Sequence, residues 1–193
     1  MPRKKLDEER IPQILDAFER CIVKYGIMGT SLERVAQEAE ISRTTIHHYI
    51  GGRKDLIRAT YKRFADTWLE GIDRLADVDI DDLSDYMMSG WQEELGHRLV
   101  VMDELMKAVS LDPETLSAVS EVLAYLFQSE AVHFQHLYPT ASLERCRDAG
   151  KMLYALGFGM FRLSEYTELP SDEVARSSMK GILESLLNDA IDD

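Results

Sequence analysis

The chain has 193 residues, 45% of them apolar and 30% charged, with a formal charge of −13. That is enough for one large core or two small ones, and no run approaches the roughly 18 apolar residues that span a bilayer. The start, MPRKKLDEER, has no apolar segment after its basic residues, so no secretory signal is expected. Cys21 and Cys146 lie far apart without metal-type spacing, which fits a reduced, cytoplasmic setting.

Residues 1–9 read as a polar tail in which Arg3, Lys4 and Lys5 form a basic arm. The spacing of Ile11, Leu15, Phe18, Ile22 and Tyr25 predicts a first helix over 10–25, with Cys21 as a small core residue. Gly26 and Gly29 bracket the turn that follows. Thr30 and Glu33 stand three apart, as a capping box requires, and predict a helix starting at Thr30. Leu32, Val35, Ala36 and Ala39 give it one apolar stripe. Ser42 is the cap of another helix, on which Ile46 and Ile50 share the inward face. Arg43, Thr44, Thr45, His47 and His48 take the other face, and Gly51-Gly52 ends the segment. Two short helices joined by a tight turn, the second displaying its polar half, form a helix-turn-helix, whose second helix fits the major groove of DNA.

A long helix is predicted from Arg53 to about Ala76, striped by Ile57, Tyr61, Phe64, Trp68, Ile72 and Leu75. Residues 77–85 are densely acidic. Asp77, Asp79 and Asp81 copy the start of a calcium loop, but Asp82 stands in place of its Gly and Met88 in place of its bidentate Glu. The expectation there is a loop and no metal. Two short helices, 82–96 and 97–110, are expected with a break near Gly96. Asp112-Pro113-Glu114 starts another that runs to about Tyr138, and Pro139 stops it. Residues 141–167 and 171–190 form a last pair, separated by Pro170. The fold class is therefore all-α.

The charge divides unevenly along this chain. Residues 1–63 carry 13 Lys and Arg against 9 Asp and Glu, a net of +4, and the remainder carries −17. A basic head on an acidic body suits a DNA reader with a separate sensing domain. Arg43 and Thr44, in the first turn of the second short helix, are the candidates for base edges. Ser31, Ser42, Thr45, His47, His48, Tyr49, Arg53 and Lys54 complete the candidate DNA surface. In the body, Trp68, Met87, Trp91, Met102, Met106, Phe127, Phe134, Met152, Tyr154, Phe158 and Phe161 are candidates to line a small-molecule pocket. Glu94, Asp103, Glu121 and Glu130 would meet a cationic ligand if buried. Glu130, His133 and His136 fall three apart on one helix but lack a second cluster, so no metal site is assigned.

Residues 11–58 resemble the DNA-binding domain of the TetR (tetracycline-repressor-like) family. Gly26, Val35, Ala36, Ile41, Ser42, Thr45, Ile46, Tyr49, Asp55 and Leu56 fit its pattern. Four positions depart. Glu40 stands at the usual turn glycine, His47 at a phosphate-contacting tyrosine, Ile50 at a phenylalanine and Arg53 at a phosphate-binding lysine. The resemblance implies an N-terminal three-helix helix-turn-helix domain, 1–52, and a C-terminal helical domain, 53–193, that binds a ligand and dimerises through the last two helices. It further implies a repressor of double-stranded DNA released by an unknown small-molecule effector. A two-fold pair also doubles the few base pairs that one recognition helix can read. No glycine-rich phosphate loop, nucleophile motif or paired-acid signature is present, so neither an enzyme, a cofactor nor a membrane partner is expected. The competing reading is an all-helical interaction protein whose helix-turn-helix does not read DNA.

Overall fold

The computed structural model describes residues 2–73, 95–109, 112–164 and 166–187. Among them are eight helices and no strand: α1 Pro2–Gly29, α2 Leu32–Glu38, α3 Arg43–Tyr49, α4 Arg53–Asp73, α5 Leu95–Val109, α6 Pro113–Leu137, α7 Leu143–Ser164 and α8 Asp172–Leu187. The acidic stretch with Asp77, Asp79 and Asp81 lies outside the described residues, as do Met87, Met88, Trp91 and Glu94.

Two local expectations are corrected. The backbone is already helical from Pro2, so residues 2–9 belong to α1 and are not a tail. Thr30 does not cap α2. Ser31 does, its hydroxyl accepting from Arg34 N at 3.3 Å, while the buried Thr30 hydroxyl donates to Gly26 O at 2.8 Å. Both residues are good cappers, and the burial of Thr30 decides between them. The helix α5 begins at Leu95, beside the break expected near Gly96, and the residues before it lie outside the described ones.

The other ends follow their local chemistry. Gly26 has φ 66 and ψ 166, a conformation essentially reserved for glycine, and it interrupts α1 three residues before its end. Asp112 caps α6 by accepting from Thr115 N at 3.0 Å. Ser142 does the same for α7 at 3.2 Å and Ser171 for α8 at 3.4 Å. Tyr138 N closes the last turn of α6 on Phe134 O at 2.8 Å, just before Pro139.

The chain forms two compact units, Met1–Phe64 with Val100–Val122, and Ala65–Leu99 with Leu123–Asp193. The division falls inside α4, α5 and α6. In the first unit, Ile14, Phe18 and Ile22 of α1 are buried, as are Val35 of α2, Ile46 of α3 and Leu56 and Ile57 of α4. Met102 and Leu105 of α5 join that core. In the second, α7 packs on α8, and Leu126, Phe134, Cys146, Leu153, Met179 and Leu183 are buried. Both cysteines are free, and burial raises their thiol pKa values, so each is a small core group. Among the described residues no helix is long and apolar enough to cross a membrane.

Candidate nucleic-acid interface

The helix-turn-helix is assembled by backbone groups that leave its second helix free of the core on one side. At the end of α2, Ala39 N bonds Val35 O at 2.9 Å, Glu40 N bonds Gln37 O at 3.1 Å and Ile41 N bonds Ala36 O at 2.9 Å. Glu40 takes φ 53, the left-handed region in which a side chain is strained. Gln13 of α1 braces this turn from outside, its Nε2 donating to Ala39 O at 2.7 Å.

Ser42 then caps α3. Its Oγ accepts from Thr45 N at 3.1 Å and lies 2.8 Å from Thr45 Oγ1. Ile46 is fully buried, which fixes the rotation of the helix, while Ile50 is only half-buried at the C-cap. The rotation exposes Arg43, Thr44, His47 and His48 and leaves Thr45 and Tyr49 half-exposed. His48 and Tyr49 meet edge to face, with centroids 5.0 Å apart. Gly51, with φ 115, turns the chain out, and its N–H bonds Ile46 O at 3.2 Å.

The predicted contact residues thus share one region of the first unit but have different occupations. Ser31 and Ser42 serve the helix starts. Arg43 is exposed and folded onto Glu33 of α2, 2.5 Å away. An exposed pair of this kind contributes about 0.2–1 kcal/mol, so it is easily exchanged for a stronger partner. Lys54 is paired with Glu114. Arg53 is turned inward: its guanidinium donates to Ile27 O and Thr30 O, and desolvation lowers its pKa. In this state Arg53 holds the α1–α2 turn and is not displayed.

Sequence reasoning missed the other half of that clamp. The Gly26 break frees the amide of Ile27, and Glu104 of α5 accepts it at 2.7 Å. The Glu104 carboxylate fills the place that a Cβ at Gly26 would take, 2.9 Å away. Lys107, ion-paired with Glu104, together with the Ile27 amide holds the carboxyl below its ordinary pKa. Ile27 is thereby gripped from both sides, its N–H by α5 and its C=O by α4. A separation of 77 positions between Glu104 and Ile27 puts this contact beyond any local pattern.

The described candidate pocket residues divide between the two units. Met102 is in the core of the first unit, and Met106, in the same unit, is 42% exposed. Trp68, Phe127, Phe134, Tyr154 and Phe158 belong to the second. Apolar spacing finds the inward face of a helix but not which unit each turn joins. Phe134 is fully buried core and Met152 is 47% exposed. Phe127 and Tyr154 meet edge to face at 5.8 Å, and Tyr154 stacks on Phe158 at 6.5 Å. Burial raises the Tyr154 hydroxyl to about 12. Of the acids singled out, Glu121 is exposed and lies 3.4 Å from Arg58, and Asp103 pairs with Lys107 at 3.2 Å. Among the described ones Glu130 alone is buried, at 2% exposure, with Trp68 Nε1 donating to its Oε1 at 3.0 Å. Among the described residues no group of three His, Cys, Asp or Glu side chains is placed to hold a metal ion.

Residues 14–60 match the sequence pattern of the bacterial regulatory proteins, tetR family. A relative, the HTH-type transcriptional regulator BetI of Burkholderia thailandensis, is 39% identical over 69 residues, 35% of each chain. The match therefore spans about a third of that relative's length. Two solved structures share the fold over most of both chains. GusR of Salmonella enterica aligns at TM-score 0.73 with 17% identity, over 94% of this chain and 98% of its own. The transcriptional regulator FadR of Bacillus subtilis, in complex with stearoyl-CoA, aligns at 0.67 with 13% identity, over 92% and 98%. The capped helix-turn-helix at residues 14–60 is thus similar to that of the tetR family of bacterial regulatory proteins, and the described helices share the fold of the two solved structures.

Proposed function

We propose that the chain is a homodimeric transcription regulator, a cytoplasmic repressor released from a palindromic operator by a small molecule, and not an enzyme. In this reading residues 1–52 contact DNA, and residues 53–193 bind the effector and dimerise through α7 and α8. One observation carries the reading. α3 buries Ile46 and turns a guanidinium, a threonine and two imidazoles outward, side chains suited to base edges and phosphates. The net charge of +4 over residues 1–63 agrees with it. Exposed Leu163 on α7 and Val174 on α8 support a subunit interface there, and the stearoyl-CoA complex of FadR shows that a protein of this fold holds a small molecule.

The test uses a duplex enriched by the protein from a random-sequence pool. Anisotropy titrations between 50 and 200 mM salt should show affinity falling by about a thousandfold if roughly six phosphates are neutralised. Arg43→Ala should weaken binding by about 1–3 kcal/mol and relax the preference at one position of each half-site. Affinity indifferent to salt, with Arg43→Ala unchanged, would favour a helix-turn-helix that serves protein contact instead.

A further inference from the structure

We infer that Glu33 is a positioning residue for sequence reading: its carboxylate steadies the Arg43 guanidinium so that Arg43 meets a guanine and not the nearest phosphate. The inference rests on reading the chain as a DNA-binding regulator, and three observations carry it. The first is an acid in an unexpected place. Glu33 lies in the first turn of α2, its side chain 62% exposed, beside the candidate DNA residues Ser31 and Arg43. A carboxylate left alone there would repel the phosphates that this surface is to meet. It is not left alone. Arg43 Nη1 donates to its Oε1 at 2.5 Å, and among the described residues no other partner engages that guanidinium.

The second observation is that the fold fixes both ends of the pair. At one end the backbone N–H of Glu33 itself, with the Arg43 guanidinium and the Ser31 hydroxyl, holds the carboxyl below its ordinary pKa and so ionised. At the other, buried Ile46 sets the rotation of α3, and the turn in which Ile41 N bonds Ala36 O at 2.9 Å ties α3 to α2. The third is a count of donors. A guanidinium carries five N–H groups in a rigid fork. Guanine takes two of them, at O6 and N7, so Arg43 can read the base and still keep Glu33. The pair is weak in water, and a duplex that excludes water strengthens it. An arginine without a brace loses more side-chain freedom on docking and is as free to reach a phosphate, which carries no sequence information. Ordering Arg43 in advance reduces that loss and favours the base.

The test uses the full chain with three kinds of probe: the enriched duplex, its single-base variants and a duplex of unrelated sequence. In anisotropy titrations the wild type should prefer guanine by about 5- to 150-fold at the position whose preference Arg43→Ala relaxes. Glu33→Gln keeps the size of the side chain and removes its charge. It should lower that preference by at least about fivefold, leave the other positions unchanged and not weaken binding to the unrelated duplex. In an Arg43→Ala background, Glu33→Gln should change no preference, because the partner through which it acts is gone. Both side chains are exposed, so the variants should keep the circular dichroism and thermal unfolding of the wild type. A uniform gain in affinity for every duplex, with the guanine preference intact, would reduce Glu33 to a repelling charge and overturn the inference. So would a preference that Glu33→Gln shifts equally in the Arg43→Ala background, since Glu33 would then read a base itself, as a carboxylate does at cytosine N4. A wild type that prefers no base overturns the regulatory reading together with this one. A preference that needs Arg43 but not Glu33 sinks this inference alone.

Discussion

At the residue scale, strain and burial are concentrated at a few side chains that a packed helical fold would otherwise avoid. Glu40 is the non-glycine residue with positive φ among the described residues, at 53°. A glycine there relieves the contact between Cβ and backbone but adds freedom to the unfolded chain, so Glu40→Gly should stabilise by only about 0.5–1 kcal/mol in urea titration. Glu130 carries a larger and pH-dependent cost. Its pKa stands at about 7 in the folded chain against an ordinary 4.5. Between these values the folded state holds the extra proton, so stability falls as pH rises through the window. The wild type should lose about 3 kcal/mol relative to Glu130→Gln between pH 4 and pH 8, with chemical denaturation at each pH as the measurement. A pH-independent difference between the two proteins would show that the carboxyl is not desolvated. Gly150→Ala forces a methyl onto that carboxyl and should destabilise by about 1–3 kcal/mol.

At the element scale, the helix-turn-helix was legible because its signals are local. Ser42 caps, Ile46 points inward and Gly51 turns the chain out, all within ten residues. The choice of Ser31 over Thr30 as the cap of α2 was not legible, since a tertiary fact, the burial of Thr30, makes it. The clamp on Ile27 was hidden for a further reason: its partners come from three helices, and nothing in an acid on α5 announces which amide it will accept. That clamp gives a prediction of its own. Glu104→Ala leaves a part-buried amide unpaired, which costs about 1–3 kcal/mol. The loss should be local, seen as faster hydrogen exchange at Ile27 and through α2 while α7 and α8 keep their protection. The pair also weakens in acid. A carboxyl with a depressed pKa stabilises the fold above its unfolded pKa, and that contribution disappears as pH falls through the folded one.

At the scale of the whole molecule, charge and symmetry act together. Residues 1–63 hold a net of +4 and the rest −17, so in the proposed dimer each subunit would offer DNA a small basic face and a body that repels it. One such face gives too little phosphate contact for tight binding at physiological salt; two, held by a common interface, add their contacts and read both half-sites. The proposed interface on α7 and α8 therefore controls affinity without touching DNA. Leu163 is 54% exposed on α7 and Val174 53% exposed on α8, large apolar groups with little to gain from water. Leu163→Glu combined with Val174→Glu places like charges against each other across any two-fold contact of these helices, while neither residue is part of the described core. The double variant should sediment near the 22.1 kDa of one chain, where the proposed wild-type dimer should sediment near twice that mass. Its circular dichroism should be unchanged and its duplex affinity at least about a hundredfold lower, the loss expected when two linked half-site contacts become one. A double variant that stays dimeric would move the interface elsewhere on the body. A monomeric one with undiminished affinity would show that a single recognition helix suffices.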